Sequence, residues 1–108
     1  FLGFLKFLRN NLAGQTSIRV DPSWATQMTL LQGMAQFAVP DVVLREDRLA
    51  TDLLHLAGQV GITTPPVLAD TTHRWQGWLD AIYDQTIENA ARDAYARDYA
   101  SFGFANWA

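Results

Sequence analysis

The residues best suited to chemistry lie in the segment GITTPPVLADTTHRW, residues 61–75, where a histidine and an arginine stand side by side. Two prolines, four threonines and no hydrophobic periodicity predict a long loop, and loops of this length are usually functional or mobile. His73 and Arg74, with the hydroxyl of Thr72 beside them, could hold an anionic ligand through charge-assisted hydrogen bonds. The alternative is a solvated loop pair whose arginine contacts Asp70 or Asp80.

The other reactive side chains do not form a recognisable catalytic or metal-binding pattern. His55 and His73 are too far apart in sequence to suggest a local metal pair, and the chain has no cysteine. The seven glycines are dispersed, and none belongs to a phosphate-binding GxxxxGK[ST] loop. Ser17 and Ser23 have no histidine at a spacing typical of a nucleophilic triad. We therefore predict no catalytic residue and no metal ion in this chain.

The composition is that of a chain able to bury a core. Hydrophobic residues make up 49% of the 108 residues and charged residues 18%, which suits one small domain. The net charge is -3 and the basic residues are scattered, so no nucleic-acid partner is expected. We treat residues 1–108 as a single, partial domain, because the chain begins with Phe1 rather than methionine and is expected to be a piece of a longer protein.

The apolar run at the N-terminus is interrupted by Lys6 and Arg9, so no transmembrane segment is predicted. Because these charges lie inside the run and not before it, the run is not typical of a signal peptide. A cytoplasmic location is favoured, although the lack of cysteine leaves the redox compartment open.

Hydrophobic spacing predicts three main helices. The first spans residues 1–12, and the second spans about 48–59, with Asp47 as a capping residue and Gly61 at its C-terminal end. The third runs from about 78 to 101. Its predicted buried face consists of Ile82, Tyr83, Ile87, Ala90, Ala94 and Tyr95. Its predicted solvated face carries the acidic residues Asp80, Asp84 and Glu88.

The chain between the first two helices is less regular. The pair Asp21-Pro22 is typical of a helix start and predicts a short helix over about 23–37. The β-branched run DVVLR, residues 41–45, predicts one short strand. Because a lone strand cannot satisfy its own backbone groups, its partners are expected in sequence outside this chain.

Two of these segments resemble blocks of the Golgi-type and bacterial carbohydrate sulfotransferases. The segment WLDAIYDQTIENAARDAYARDYASFGF, residues 78–104, looks like the family's closing helix, which ends in Y-x-x-D-[FY]-x-x-[FL]-G-[YF]. The matching positions are Tyr95, Asp98, Tyr99, Phe102, Gly103 and Phe104. The block DVVLREDRLATDL resembles D-[FY]-[VI]-x-R-[FY]-E-x-L-x-x-D-[FL]. It matches at Asp41, Arg45, Leu49, Asp52 and Leu53, whereas Glu46 and Asp47 replace an aromatic residue and a glutamate.

Two further blocks agree with the same family. The block DPSWATQ is similar to D-x-H-[WF]-x-x-Q, with matches at Asp21, Trp24 and Gln27 and with Ser23 in place of the histidine. The run FLGFLKFL fits the preceding family helix F-x-x-F-[LV]-x-[FYW]-[LI]. All four blocks occur in the family's order and spacing, and together they cover most of the chain.

The resemblance implies a C-terminal portion of an α/β, P-loop-like sulfotransferase fold, itself mostly α with one or two short strands. The complete protein would transfer a sulfuryl group from 3′-phosphoadenosine 5′-phosphosulfate to a hydroxyl acceptor such as a carbohydrate. The main donor site would lie in a missing N-terminal half of the same fold, so this portion alone is expected to be inactive. Within it, Thr72, His73 and Arg74 would contact the donor phosphates, and Trp24 and Gln27 would lie on the substrate side.

The same resemblance predicts that residues 94–104 form a structural latch. Gly103 would let the chain leave the helix in a left-handed turn, while Phe102 and Phe104 pack back onto the apolar face. Asp98 would lie near a helix end where its charge opposes the helix dipole, so a specific backbone or arginine partner is expected.

The alternative to an enzyme is a small helical protein-interaction module without catalytic activity. Its exposed phenylalanine and tryptophan side chains would dock a partner protein. Because the first helix is apolar nearly all round, a homo-oligomer is a related expectation.

Overall fold

The computed structural model of the protein describes residues 1–64, 66–69 and 74–106. Along these residues the chain forms α1 (Leu2–Leu12), α2 (Gln27–Ala35), a 3-10 turn (Glu46–Arg48), α3 (Leu49–Gln59), α4 (Gln76–Ile82), α5 (Gln85–Ala94) and α6 (Ala96–Phe102). The predicted mostly helical class is confirmed. The chain divides into two compact units, here called the helical unit (Phe1–Val39 with Gly77–Ala108) and the middle unit (Pro40–Gln76).

The core of the helical unit forms where α1 packs against α5. Leu5 and Leu8 from α1 are buried together with Ile87 and Ala94 from α5. Partly buried side chains that pack around this cluster are Phe7, Leu12, Trp24, Tyr83, Ala90, Ala91 and Tyr95. Full burial of a leucine side chain stabilises a fold by roughly 1.5–3 kcal/mol. Because this burial holds α1 against α5, it also fixes the places of the polar side chains that these two helices carry.

The predicted first helix is confirmed, and its last turn carries an asparagine that organises the following loop. Asn11 is buried, and its Nδ2 donates to Thr16 Oγ1 at 2.9 Å and to the backbone oxygen of Ile18 at 2.7 Å. Gly14 follows with a φ of 73°, a left-handed conformation that glycine adopts without strain. The helix therefore ends through specific hydrogen bonds and not only through a loss of periodicity.

The prediction of one long helix over 78–101 is wrong, because the segment forms the three helices α4, α5 and α6. Asp84 adopts an extended backbone and its Oδ1 accepts a hydrogen bond from the Ile87 N–H at 2.9 Å, which caps the start of α5. Tyr95 ends α5 and begins α6 with a non-helical φ of −110°. Ile82 is exposed, contrary to its predicted place on the buried face.

The short helix predicted over 23–37 is present but begins later, at Gln27. Thr26 caps it, with its Oγ1 accepting from the Thr29 N–H at 3.2 Å. Asp21 instead closes a turn, since its Oδ1 accepts from the N–H and the hydroxyl of Ser23. These two hydrogen bonds lower the pKa of the Asp21 carboxyl.

In the middle unit, the strand predicted over 41–45 is wrong. These residues are irregular, and none of the described residues forms a strand with which they could pair. The second helix is confirmed as α3, but Asp47 does not cap it; Asp47 Oδ1 instead accepts from Arg45 Nε at 2.9 Å. Gly61 follows α3 with a φ of 78°, as predicted for a C-terminal cap.

Candidate functional site

The closing segment and the DPSWATQ block meet at Asp98, in the first turn of α6. Its Oδ2 accepts a hydrogen bond from the Gln27 N–H at 2.7 Å, and its Oδ1 accepts from the Met28 N–H at 2.9 Å. The residue is only 3% exposed. The first N–H groups of a helix lack intrahelical partners and form the positive end of its dipole, so a carboxylate is stabilised there. Asp98 thus caps α2 across 70 residues of sequence.

The predicted backbone partner of Asp98 is therefore confirmed. The reason given for it is wrong, because Asp98 does not lie at a helix C-terminus. It lies near the N-termini of both α6 and α2, where a negative charge is favourable.

A second connection between the same two blocks runs through Trp24. The Tyr95 hydroxyl donates to the backbone oxygen of Trp24 at 2.8 Å, and the indole Nε1 donates to Asn11 Oδ1 at 2.9 Å. The indole also lies edge-on to the rings of Phe4 and Phe7, with centroids 6.3 Å apart in each pair. Burial, followed by the nearby Asp98 charge, raises the pKa of the Tyr95 hydroxyl. Trp24 is therefore a structural centre that joins α1 to the closing segment.

Glu88 forms a buried polar cluster with Tyr83, Tyr99 and Arg92. The hydroxyl of Tyr83 donates to its Oε2 at 2.8 Å, the hydroxyl of Tyr99 donates to its Oε1 at 3.2 Å, and Arg92 Nη2 lies 3.7 Å from Oε1. The Arg92 guanidinium also lies over the Tyr99 ring, 4.7 Å from its centroid. Glu88 is 3% exposed, so its predicted place on a solvated face is wrong. These donors and the cation offset the cost of burying its polar group.

The Glu88 cluster also changes the acidity of its tyrosines. Burial is the larger cause and the interaction with Glu88 the second, and together they raise the pKa values of Tyr83 and Tyr99 above the usual value of 10. Both phenols therefore stay protonated as hydrogen-bond donors well into the alkaline range. The sequence pattern gave no sign of the two tyrosines around Glu88, because Tyr83 precedes the helix break at Asp84 and Tyr99 follows the break at Tyr95.

A groove of about 440 Å³ lies beside Asp98 and contains both predicted substrate-side residues, Trp24 and Gln27. Its other walls include Ser23, Leu30, Tyr95, Tyr99 and Phe104. The volume falls within the range of roughly 300–1,000 Å³ that is common for small-molecule sites. The backbone N–H of Gln27 is held by Asp98 while its side chain is exposed, so the amide is available for a ligand without disturbing the cap.

Of the residues predicted to contact the donor, Arg74 is exposed in the middle unit. Its Cζ lies 4.2 Å from the Trp75 ring centroid, a cation–π contact. Thr72 and His73 lie outside the described residues. Their proposed joint role with Arg74 therefore stays a prediction.

The left-handed exit of the predicted latch is present at the end of α6. Gly103 has a φ of 64° and its N–H donates to the Tyr99 backbone oxygen at 3.0 Å, so the left-handed exit is confirmed. Phe104 packs against Phe102 and edge-on against Tyr99, with centroid distances of 5.8 and 6.0 Å. Phe104 also lines the groove that contains Gln27.

Within the described ranges, His, Cys, Asp and Glu side chains do not gather in groups of three that could hold a metal ion. In that same part of the chain, the helices are too short or too polar to cross a membrane. Comparisons with protein-family models, curated proteins and solved structures give no significant match to this chain.

Proposed function

We propose that these residues form the C-terminal portion of a sulfotransferase-like protein. The complete protein would transfer a sulfuryl group from 3′-phosphoadenosine 5′-phosphosulfate to a hydroxyl acceptor, with carbohydrates as the favoured class. The observation that supports this proposal most is the pairing of two resembling blocks through Asp98 and Tyr95. Both residues match the closing block of the family, and their partners, Gln27 and Trp24, match the D-x-H-[WF]-x-x-Q block.

This pairing favours the proposal because the blocks are far apart in sequence. If the matches were accidental, the matched side chains of the closing block would have no reason to reach the backbone of the other block, yet Asp98 accepts from the N–H groups of Gln27 and Met28 and Tyr95 donates to the backbone oxygen of Trp24. Here the matched aspartate caps the helix that begins at the matched glutamine. The first block takes part as well, since Phe4 and Phe7 of FLGFLKFL contact the matched tryptophan.

In the proposed enzyme, this portion holds the acceptor and completes the donor site. The groove beside Asp98 offers aromatic rings for the carbon skeleton of a sugar and the Gln27 amide for its hydroxyls. Arg74 would bind the donor phosphates, since its planar guanidinium donates two hydrogen bonds at once to a phosphate. The general base that activates the acceptor hydroxyl and the main donor site would be supplied by the rest of the fold.

The test uses the natural full-length protein and calorimetric titration with 3′,5′-adenosine bisphosphate, the nucleotide product of the donor. We expect wild type to bind it and Arg74→Ala to bind it about ten- to a hundredfold more weakly, because a charge-assisted contact is lost. Arg19→Ala is the matched control, since Arg19 is an exposed arginine outside both the middle unit and the Asp98 groove. No nucleotide binding by wild type would reject the proposal, and equal affinity in Arg74→Ala would remove Arg74 from the donor site.

The second candidate is a helical interaction module without catalytic activity. The observation that favours it is the exposed apolar surface on and just after α2, formed by Leu30, Met34 and Phe37. Large exposed apolar patches are typical of protein-binding surfaces. A full-length protein that fails to bind the nucleotide and fails to transfer labelled sulfate to any sugar would favour this module.

A further inference from the structure

A second and larger groove lies within the helical unit. It has a volume of about 750 Å³ and is formed by the C-terminal half of α1, residues 20–29 and the junction of α5 with α6. This size is well within the usual range of small-molecule sites. It shares Ala25 with the smaller groove but contains neither Trp24, Gln27 nor Asp98.

Two arginines from different helices line this groove. Arg9 lies in the last turn of α1, and Arg97 lies in the first turn of α6. Across residues 1–64, 66–69 and 74–106, neither guanidinium has an ion pair or a side-chain hydrogen bond. With Asp93, the charged lining residues carry a net charge of +1, because the lining contains two arginines and one aspartate.

The uncharged polar lining adds hydrogen-bonding groups of both kinds. The side-chain amides of Asn10 and Gln15 are exposed and line the groove. By contrast, the Thr26 hydroxyl is occupied, since its Oγ1 donates to Thr29 Oγ1 at 2.7 Å and accepts from the Thr29 N–H at the start of α2, whereas the exposed Thr29 hydroxyl keeps its own O–H as a donor. The groups available to a ligand are therefore two guanidiniums, two amides, the Thr29 hydroxyl and one carboxylate.

From this arrangement we propose that the larger groove binds a small polyhydroxylated compound that carries a phosphate or sulfate monoester. Arg9 and Arg97 would hold the tetrahedral oxyanion, which matches the donor fork of a guanidinium. Asp93 would accept hydrogen bonds from ligand hydroxyls, and the amides of Asn10 and Gln15 would bind hydroxyls or ring oxygen. This site shares no residue with the proposed donor contact at Arg74 and does not depend on the proposed sulfuryl transfer.

The experiment titrates the full-length protein with glucose 6-phosphate, glucose 6-sulfate, glucose and inorganic phosphate. We expect either monoester to bind at least tenfold more tightly than inorganic phosphate, because the sugar hydroxyls add contacts, and we expect no binding of glucose. Comparing the two monoesters shows which oxyanion the groove prefers. Equal affinity for inorganic phosphate and for both monoesters would overturn the polyhydroxylated class of ligand.

Variants locate the binding in this groove. Arg9→Gln and Arg97→Gln should each weaken monoester binding at least tenfold, whereas Lys6→Gln, an exposed cation on the same helix as Arg9 but outside the groove, should change it less than twofold. Circular dichroism confirms that each variant is folded. In wild type, the side-chain amide NMR signals of Asn10 and Gln15 should shift with a monoester and not with glucose, which tests the site without any substitution.

One further outcome separates this inference from the proposed function. Arg74→Ala should bind the monoesters as wild type does, because Arg74 does not line this groove. Wild-type affinity in both arginine variants, or a loss in Lys6→Gln as large as theirs, would overturn the inference. A loss of monoester binding in Arg74→Ala would also overturn it, because the monoesters would then occupy the proposed nucleotide site.

Discussion

Asp98 accepts hydrogen bonds from two backbone N–H groups that would otherwise have no partner at the start of α2. Asp98→Asn should lower the free energy of unfolding by about 1–3 kcal/mol. The asparagine oxygen can accept from one N–H, but its NH₂ group would face the other N–H, and the stabilising charge at the helix N-terminus is lost. Urea unfolding followed by circular dichroism measures the change.

Asp93→Asn is the matched control for Asp98→Asn, because Asp93 is an exposed aspartate near the end of α5. A surface substitution of this kind should change the free energy of unfolding by no more than about 0.5 kcal/mol. If the free energy of unfolding falls by the same small amount in both variants, Asp98 does not stabilise α2. The hydrogen bonds between the two resembling blocks would then contribute nothing measurable to stability.

The tyrosines around Glu88 make stability depend on alkaline pH. Tyr83 has a raised pKa in the folded protein, from burial and from its hydrogen bond to Glu88. Below about pH 10 the phenol is protonated in both states and its contribution is fully present. As the pH rises above that value, the unfolded state loses this proton while the folded state keeps it, so the free energy of unfolding falls.

Tyr83→Phe should therefore make this alkaline fall shallower. Urea midpoints measured between about pH 9 and pH 11, on either side of the usual tyrosine pKa, give the slope for both proteins. The comparison concerns the slope, because the variant also loses one hydrogen bond to Glu88 at every pH. Identical slopes would show that the Tyr83 phenol titrates normally and is therefore not held in a buried hydrogen bond to Glu88.

At the residue scale, the predicted backbone partner of Asp98 is present, but the reason for it differs. The prediction placed the charge against a helix dipole, whereas Asp98 lies near two helix N-termini and accepts from the N–H groups of Gln27 and Met28. The burial of Glu88 could not be predicted, because it depends on where the helix breaks. Read as one helix, residues 78–101 place Glu88 on the outer face; the breaks at Asp84 and Tyr95 let two tyrosines reach it.

At the scale of elements, the glycines at helix ends were the most readable signals. Gly103 ends α6 with a φ of 64°, where any residue with a Cβ is strained. Gly103→Ala should lower the free energy of unfolding by about 1 kcal/mol. Gly33→Ala is the matched control, since Gly33 lies inside α2 and an added Cβ would have no heavy atom within 4 Å.

The control should change stability in the opposite direction. Alanine inside a helix is favoured over glycine by roughly 0.5–1 kcal/mol, so Gly33→Ala should raise the free energy of unfolding. Thermal and urea unfolding of the two variants provide the measurement. A Gly103→Ala protein as stable as wild type would mean that the turn after α6 is not fixed in the left-handed conformation.

Elements whose formation depends on distant partners were not predictable from local sequence. The strand expected over 41–45 rested on β-branched residues alone, and β-propensity mainly reflects packing against neighbouring strands. None of the described residues supplies such a neighbour, and the segment is irregular. The start of α2 at Gln27 was missed for a related reason, since Asp98 and Thr26 together fix it, and Asp98 lies far away in the sequence.

At the scale of the whole molecule, the two units differ in how much they bury. The helical unit has a core of Leu5, Leu8, Ile87 and Ala94, whereas Ala57 is the buried hydrophobic residue of the middle unit among those described. The general prediction of a helical chain with one apolar core came from composition and periodicity. The division into two units was not predicted, because it follows from contacts between the two ends of the chain.

The exposed side chains on and after α2 lead to a prediction about association. Met34 is 66% exposed and Phe37 is 94% exposed, and α2 buries no residue fully. Removing such apolar surface from water is favourable at about 25 cal/mol per Å², so two copies should associate through it. Sedimentation equilibrium of the 108-residue chain at high micromolar concentration should give an apparent mass above the monomer mass of 12.1 kDa.

The double variant Met34→Gln with Phe37→Gln should return the apparent mass to that of the monomer, because it replaces the apolar surface while leaving the Asp98 cap in place. Val67→Gln is the matched control, since Val67 is as exposed as Phe37 but lies in the middle unit. It should associate as wild type does. A wild-type chain that is monomeric at every concentration, with a sharply cooperative thermal transition, would contradict this prediction. Such a result would also mean that the exposed surface of α2 needs no cover, either by a second copy of the chain or by the rest of a larger fold.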